Sequence, residues 1–274
     1  MSRIHPYFVV VTQLAIAMSI IVMAPACSKE VDVAPTPANP DDVMAAWRTL
    51  MEAPAQNIDN PELTRLAAII GQKAPHYIDE MIGGFEDPAI SGEALFALVT
   101  SLEQIVSPEM VPKLVTFTTS DQSGTVRRAA THLLGEINSD SAKDALLILK
   151  DDESETVRLT ALLGLAQQGN QAVREDLREI FRRDDVMDST RERIVLTTCD
   201  VPIEGDRAIL EEGIQIEGLQ QGTYVRAVSV LGRIGTLESI DPLNALKARP
   251  DSSVAVRDMC ENTIAAIEER ETPA

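Results

Sequence analysis

The feature that most constrains this chain is a dipeptide that keeps returning. Val-Arg stands at Val126-Arg127, Val157-Arg158, Val225-Arg226 and Val256-Arg257, which spaces the arginines by 31, 68 and 31 residues. A gap of 68 is two steps of 34, and Arg193 in STRERIVLTTC divides it into 35 and 33. Gly71, Gly135, Gly164 and Gly232 form a second series, with gaps of 64, 29 and 68, again one or two units of about 32. Two residue types keeping one period imply a repeating unit. A unit this short cannot bury an apolar face alone, so it must stack on its neighbours.

Within the unit the period is helical. Val126, Ala129, Ala130, Leu133, Leu134 and Ile137 fall three or four residues apart and make one apolar stripe. Val256, Met259, Cys260, Ile264 and Ile267 repeat it, and Ala142, Ala145, Leu146 and Leu149 mark a second helix after the first. Asn60-Pro61, Asp87-Pro88, Ser107-Pro108 and Asp241-Pro242 each set a capping side chain before a proline and predict helix starts. Ser189-x-x-Glu192 has the form of a capping box. Apolar residues make up 45 % of the chain but aromatic ones only 3 %, so the core is Ala, Leu, Ile and Val, suited to closely packed helices.

The segment TVRRAATHLLGEINSDSAKDALLILKDD (125–152) resembles a HEAT-like repeat of the short bacterial kind, on Val126-Arg127, Ala130, Leu134-Gly135 and Ile137. The signatures of tetratricopeptide and ankyrin repeats, which share the period, are missing. The resemblance covers roughly residues 60–268 and is specific after 120. It implies an all-α fold, a right-handed α-solenoid of about six or seven antiparallel helix pairs over residues 43–270, with a tail at 271–274. It also implies a structural ladder. Asp121, Asp152, Asp185 and Asp251, from turns between helices, would pair with Arg127, Arg158, Arg193, Arg226 and Arg257; ligand binding by these arginines is the alternative. The stretch from Cys199 to Tyr224, with Pro202, Gly205, Gly213, Gly218 and Gly222, reads as a loop or a distorted second helix.

Ahead of the repeats, Arg3 precedes an apolar run from Val9 to Met23, followed by Ala24-Pro25-Ala26 and Cys27. A basic end, an apolar middle and small residues make a secretory signal of residues 1–26. The junction resembles the lipobox of bacterial lipoproteins, with Ala24 where Leu is usual. That resemblance implies cleavage after Ala26 and lipidation of Cys27; plain signal cleavage and an uncleaved spanning anchor are the alternatives. Ser28 after the cysteine, in place of Asp, favours the outer over the inner membrane by resemblance to enterobacterial lipoproteins. Residues 27–42 read as a Pro-rich tether. The expected location is the cell envelope, lipid-anchored, with a soluble periplasmic or secreted protein as the alternative.

The formal charge is −19, and loss of Arg3 with the leader takes it to about −20. Such a surface repels nucleic acid and anionic headgroups, so membrane contact is expected through the anchor only. Only His76 and His132 remain beyond the leader, and His-x-x-x-His, Cys-x-x-Cys and Asp-rich calcium loops do not occur. The His-Glu pairs of HEAT-like di-iron hydroxylases do not occur either. No metal, cofactor or catalytic residue is therefore expected, and His132 reads as packing. Cys199 and Cys260 read as buried thiols, with a disulfide as the alternative in an oxidising compartment. The expected function is a non-enzymatic protein–protein interaction scaffold whose acidic surface holds a basic protein or peptide. Tyr77 and Tyr224 are the partner-binding candidates and Trp47 belongs to the core. The alternative is a lyase-like or other small-ligand-handling enzyme built on HEAT-like repeats.

Overall fold

The computed structural model describes residues 39–52, 61–88, 90–119 and 121–271, in two compact units that divide between Gln168 and Gly169. The leader, Ala26, the proposed lipidation site Cys27 and the tether up to residue 38 lie outside the described residues. All regular structure among the described residues is helical. No helix among them is long and apolar enough to cross a membrane.

The first unit holds α1 (Pro40–Met51), α2 (Pro61–Lys73), α3 (Ile78–Gly83), α4 (Gly92–Glu103), α5 (Val111–Thr116), α6 (Gly124–Glu136), α7 (Asp140–Leu149) and α8 (Glu155–Gln167). Helices α2, α4, α6 and α8 form one row, each packed on the next, and α5 and α7 form a second row behind α6 and α8. The second unit holds α9 (Arg174–Arg182), α10 (Asp188–Asp200), α11 (Arg207–Gly213), α12 (Gln221–Ile234), α13 (Ile240–Ala248) and α14 (Val254–Glu271). There α10, α12 and α14 make the row, with α9, α11 and α13 packed behind it. Each unit is thus a stack of helix pairs, the α-solenoid architecture. The stretch after Cys199 contains the short helix α11, entered by a 3-10 turn at Glu204–Asp206, so it is a shortened second helix.

Side-chain caps open five of the α-helices among the described residues, from Asn39, Ser91, Ser123, Ser139 and Ser253. The side chains of Ser91, Ser123 and Ser139 accept from the backbone N–H of Ala94, Val126 and Ala142 at 3.1–3.2 Å. Asn39 caps α1, with Pro40 at its first position, so the folded region begins three residues earlier than residue 43. Three expected starts move, one of them Asp241-Pro242, which falls inside the first turn of α13. Helix α4 opens at Ser91 and not at Asp87-Pro88, and α10 opens at Asp188 with no capping box from Ser189. Glu192 turns across to the next helix, accepting from Gln220 N (3.0 Å) and Thr223 Oγ1 (2.6 Å) at the start of α12.

Helix ends are closed by side chains from further along the chain. Gln168 Nε2 donates to the carbonyls of Leu134, Gly135 and Ile137 at the end of α6, at 2.9–3.0 Å. Arg249 Nη1 donates to Ile214 O and Ile216 O after α11, and Arg270 donates to Gly232 O and Gly235 O at the end of α12. The last turn of a helix leaves carbonyls without internal partners, and these donors satisfy them.

The repeated glycines separate into two kinds. A Cβ on Gly135 would lie 3.0 Å from Gly164 Cα, and one on Gly164 would lie 2.7 Å from Gly135 Cα, so α6 and α8 cross backbone against backbone. A Cβ on Gly232 would meet nothing closer than Thr263 Oγ1 at 3.6 Å, an ordinary contact. Alanine in a helix gains about 1 kcal/mol over glycine, while overpacking costs about 1–3 kcal/mol. At Gly135 the obstacle is backbone and cannot rotate away, so Gly135→Ala should destabilise the protein by about 1–2 kcal/mol in urea unfolding. Gly232→Ala should leave stability unchanged or raise it by up to about 1 kcal/mol. Equal effects at the two positions would refute the crossing.

Tyr224, only 1 % exposed, provides a second test. Its hydroxyl donates to Ile216 O at 2.5 Å and accepts from Leu219 N (3.2 Å) and Arg249 Nη2 (3.0 Å). Tyr224→Phe would leave the buried Leu219 N–H without its acceptor, at a cost of about 1–3 kcal/mol in the same measurement. A variant as stable as the parent would show that the hydroxyl does not hold the 214–219 loop.

Candidate functional site

Glu103 is the last residue of α4, and His132 lies in the third turn of α6, the next helix in the row. Their packing sets His132 Nε2 at 2.5 Å from Glu103 Oε1, with the imidazole 36 % exposed and the carboxylate 11 %. The second carboxylate oxygen, Glu103 Oε2, is buried and has no hydrogen-bond partner among the described residues. A carboxylate only accepts, so the proton between them is carried by Nε2. The other ring nitrogen, Nδ1, makes no hydrogen bond among the described residues. An imidazole oriented by a buried carboxylate, with its second nitrogen unengaged, is equipped to accept a proton from a bound molecule.

His132 was expected to be packing, and Glu103 carries no signal in the sequence. The two are 29 residues apart, close to one repeat, so the period itself could have paired them as neighbours in adjacent units. One turn before His132 on α6 stands Arg128, a partly buried side chain. Desolvation lowers its pKa below the ordinary arginine value. Residues one turn apart share a face of the helix. His76 is exposed and stacks on Tyr77 at 4.3 Å. Among the described residues no group of three His, Cys, Asp or Glu side chains is placed to hold a metal ion.

The expected Arg–Asp ladder has a rung where Arg127 donates to Asp152 at 3.1 Å, joined by Glu153 at 3.0 Å and Gln122 O at 3.0 Å. The other aspartates take partners nearer in sequence. Asp121 accepts from Thr119, Asp185 pairs with Arg183, and Asp251 pairs with Arg249. An arginine two residues away in the same turn reaches the carboxylate before one from another helix can. Arg158 caps carbonyls, donating to Asp152 O and Glu153 O, while Arg226 pairs with Asp200 and Arg257 points to solvent. Arg193 is half-buried on α10. In the second unit Arg174 and Asp206 make a buried pair at 3.1 Å that Arg178 joins at 3.3 Å. Sequence reasoning missed this pair, whose residues stand outside the repeat signature.

Tyr224 is corrected from partner-binding candidate to core residue, its ring under the Arg249 guanidinium at 5.1 Å. Tyr77 is half-buried and donates to Asp41 Oδ1 at 2.5 Å. Trp47 is buried in α1 and donates to Ser101 Oγ of α4 at 3.0 Å. Cys199 and Cys260 are buried and free. Burial pushes the Cys199 thiol up to about 12 and that of Cys260 up to about 11, which leaves both protonated and unreactive near neutral pH.

Residues 111–197 match the family model for HEAT repeats. No curated protein matches the chain. Among solved structures, human deoxyhypusine hydroxylase in complex with glycerol is similar at 20 % identity and a TM-score of 0.36, covering 84 % of this chain and 88 % of that one. At that identity and TM-score nothing of the enzyme's chemistry transfers to this chain. The expectation of a non-enzymatic interaction scaffold is nevertheless corrected. One of its two aromatic anchors, Tyr224, is buried and is not available to a partner. The described residues form two all-helical units, and residues 111–197 match HEAT repeats.

Proposed function

We propose that this protein handles a small molecule at the Glu103–His132 pair, as an enzyme built on HEAT-like repeats in which His132 transfers a proton. The observation that supports this reading is the 2.5 Å contact between a half-exposed imidazole and a carboxylate that is otherwise buried. Glu103 fixes the tautomer that carries its proton on Nε2. His132 Nδ1 then takes a proton from the ligand, and the nearby carboxylate stabilises the imidazolium that forms. General base chemistry of this kind contributes about 10²–10⁴-fold to a rate. The test is a thermal-shift screen of the full chain against a library of small metabolites. At least one compound should raise Tm, with apparent affinity or turnover falling at least about tenfold in both His132→Gln and Glu103→Gln. An empty screen, or hits indifferent to both substitutions, would sink the proposal.

The same protein is proposed to be exported and held in the cell envelope by a lipid on Cys27, with cleavage after Ala26. Supporting this are Arg3, the apolar run from Val9 to Met23 and the Ala24-Pro25-Ala26-Cys27 junction. The acid excess leaves the anchor as the only contact with the bilayer, and a single acyl chain holds weakly, so more than one chain is needed. Metabolic labelling with palmitate should mark the parent and not Cys27→Ala, and the variant should leave the membrane fraction. Label retained in Cys27→Ala, or a mature N-terminus elsewhere than Cys27, would reject the assignment.

A further inference from the structure

Arg128 stands apart by its burial: Arg233 and Arg257 also lack partners among the described residues but are exposed, whereas Arg128 is partly buried. The chain has 43 acidic residues against 24 basic ones, so carboxylates are plentiful. Its neighbour Arg127 takes two of them, Asp152 and Glu153. Arg48, Arg182, Arg207, Arg226 and Arg249 each hold at least one. Arg128 has neither an ion pair nor a hydrogen bond among the described residues, although it lies in the tightly packed helix α6. Carboxylates raise the pKa of Arg127, whereas desolvation lowers that of Arg128. A guanidinium partly removed from water and given no counter-charge is unfavourable, and an anion that reached it would supply the charge-assisted hydrogen bonds it lacks.

Its placement bears on the pair already described. Residues 128 and 132 are one helical turn apart on α6, with Cβ atoms about 5–6 Å from each other. We propose that the ligand of the Glu103–His132 site carries an anionic group, a carboxylate or a phosphate, that Arg128 binds while the rest of the molecule lies against His132. The inference rests on the reading of that pair as a small-molecule site. The guanidinium fork matches both anions, donating to two oxygens at once, which a lysine does not reproduce. The spacing restricts the ligand to one whose anionic group and exchangeable proton are separated by only a few bonds. His132 and Arg128 divide the work, one moving a proton and the other fixing orientation.

The test uses the full chain, with inorganic phosphate and succinate as probes, and compares the parent with Arg128→Gln, Arg128→Lys and His132→Gln. Binding is followed by thermal shift and by the histidine side-chain resonances in ¹H–¹⁵N spectra. One or both anions should stabilise the parent saturably and move the His132 signals, and the probe that acts identifies the anion. Affinity should fall at least tenfold in Arg128→Gln and recover only in part in Arg128→Lys. Without any anion, Arg128→Gln should melt about 2 °C or more above the parent, because an uncompensated charge has been removed. Saturable binding that is equally strong in Arg128→Gln overturns the inference, and so does an absence of binding to the parent. If Arg128-dependent binding leaves the His132 signals unmoved, the anion site stands and the reading of the Glu103–His132 pair fails.

Discussion

No side chain separates α6 from α8 where Gly135 meets Gly164, and much of the first unit depends on that approach. Because the two backbones touch, Arg127 on α6 reaches Asp152 just before α8, and Gln168 just after α8 reaches back to the end of α6. Helix–helix distances vary with the side chains at the crossing. A bulkier pair would push α8 away and lengthen both sets of bonds together. Arg128 and His132, seven and three residues before Gly135, lie on the same side of α6 and are positioned by the same packing. The geometry of the candidate site is therefore set in part by two residues that take no part in its chemistry.

The acidity of the chain reads differently once partners are known. Some carboxylates are engaged with arginines two residues away or with helix N-termini, as Asp185, Asp251 and Glu192 show. Exposed pairs of this kind contribute little individually, while the buried Arg174–Asp206 pair demands that both members be present, since either alone would be an uncompensated charge. What sets the candidate site apart is an imbalance. Glu103 keeps a buried oxygen unsatisfied and Arg128 keeps a charge unmatched, within one helix and its neighbour.

Much of the architecture was legible in the sequence because stacking repeats leave a period, and the period survives variation in the residues that carry it. The Val126–Ile137 stripe and the Val-Arg recurrence lie where helix packing requires them, whereas the capping serines Ser91, Ser123 and Ser139 were not among the helix starts expected. The site was not legible in the same way. His132 and Glu103 meet through adjacent units, and no local pattern distinguishes a histidine that packs from one that a distant carboxylate orients. The Asp251–Arg257 expectation failed for a related reason, since Arg249, in the same turn, takes the carboxylate first. Tyr224 shows the limit of composition as a guide. In a chain so poor in aromatic residues the tyrosine is spent on closing a loop, its hydroxyl satisfying backbone that glycine-rich sequence leaves open.

The closure of one helix end by a residue from a later helix gives the stack a direction. Gln168 finishes α6, Arg249 finishes the turn after α11, and Arg270 finishes α12. Each repeat is left incomplete until its successor has been made, so a chain emerging from its N-terminus first waits on what has yet to be synthesised. Bonds of this kind tie each repeat to its neighbour, as the nearest-neighbour terms of a linear array do. Within each unit, wear at the C-terminal edge would pass inward one repeat at a time, like a zip opened from its last tooth.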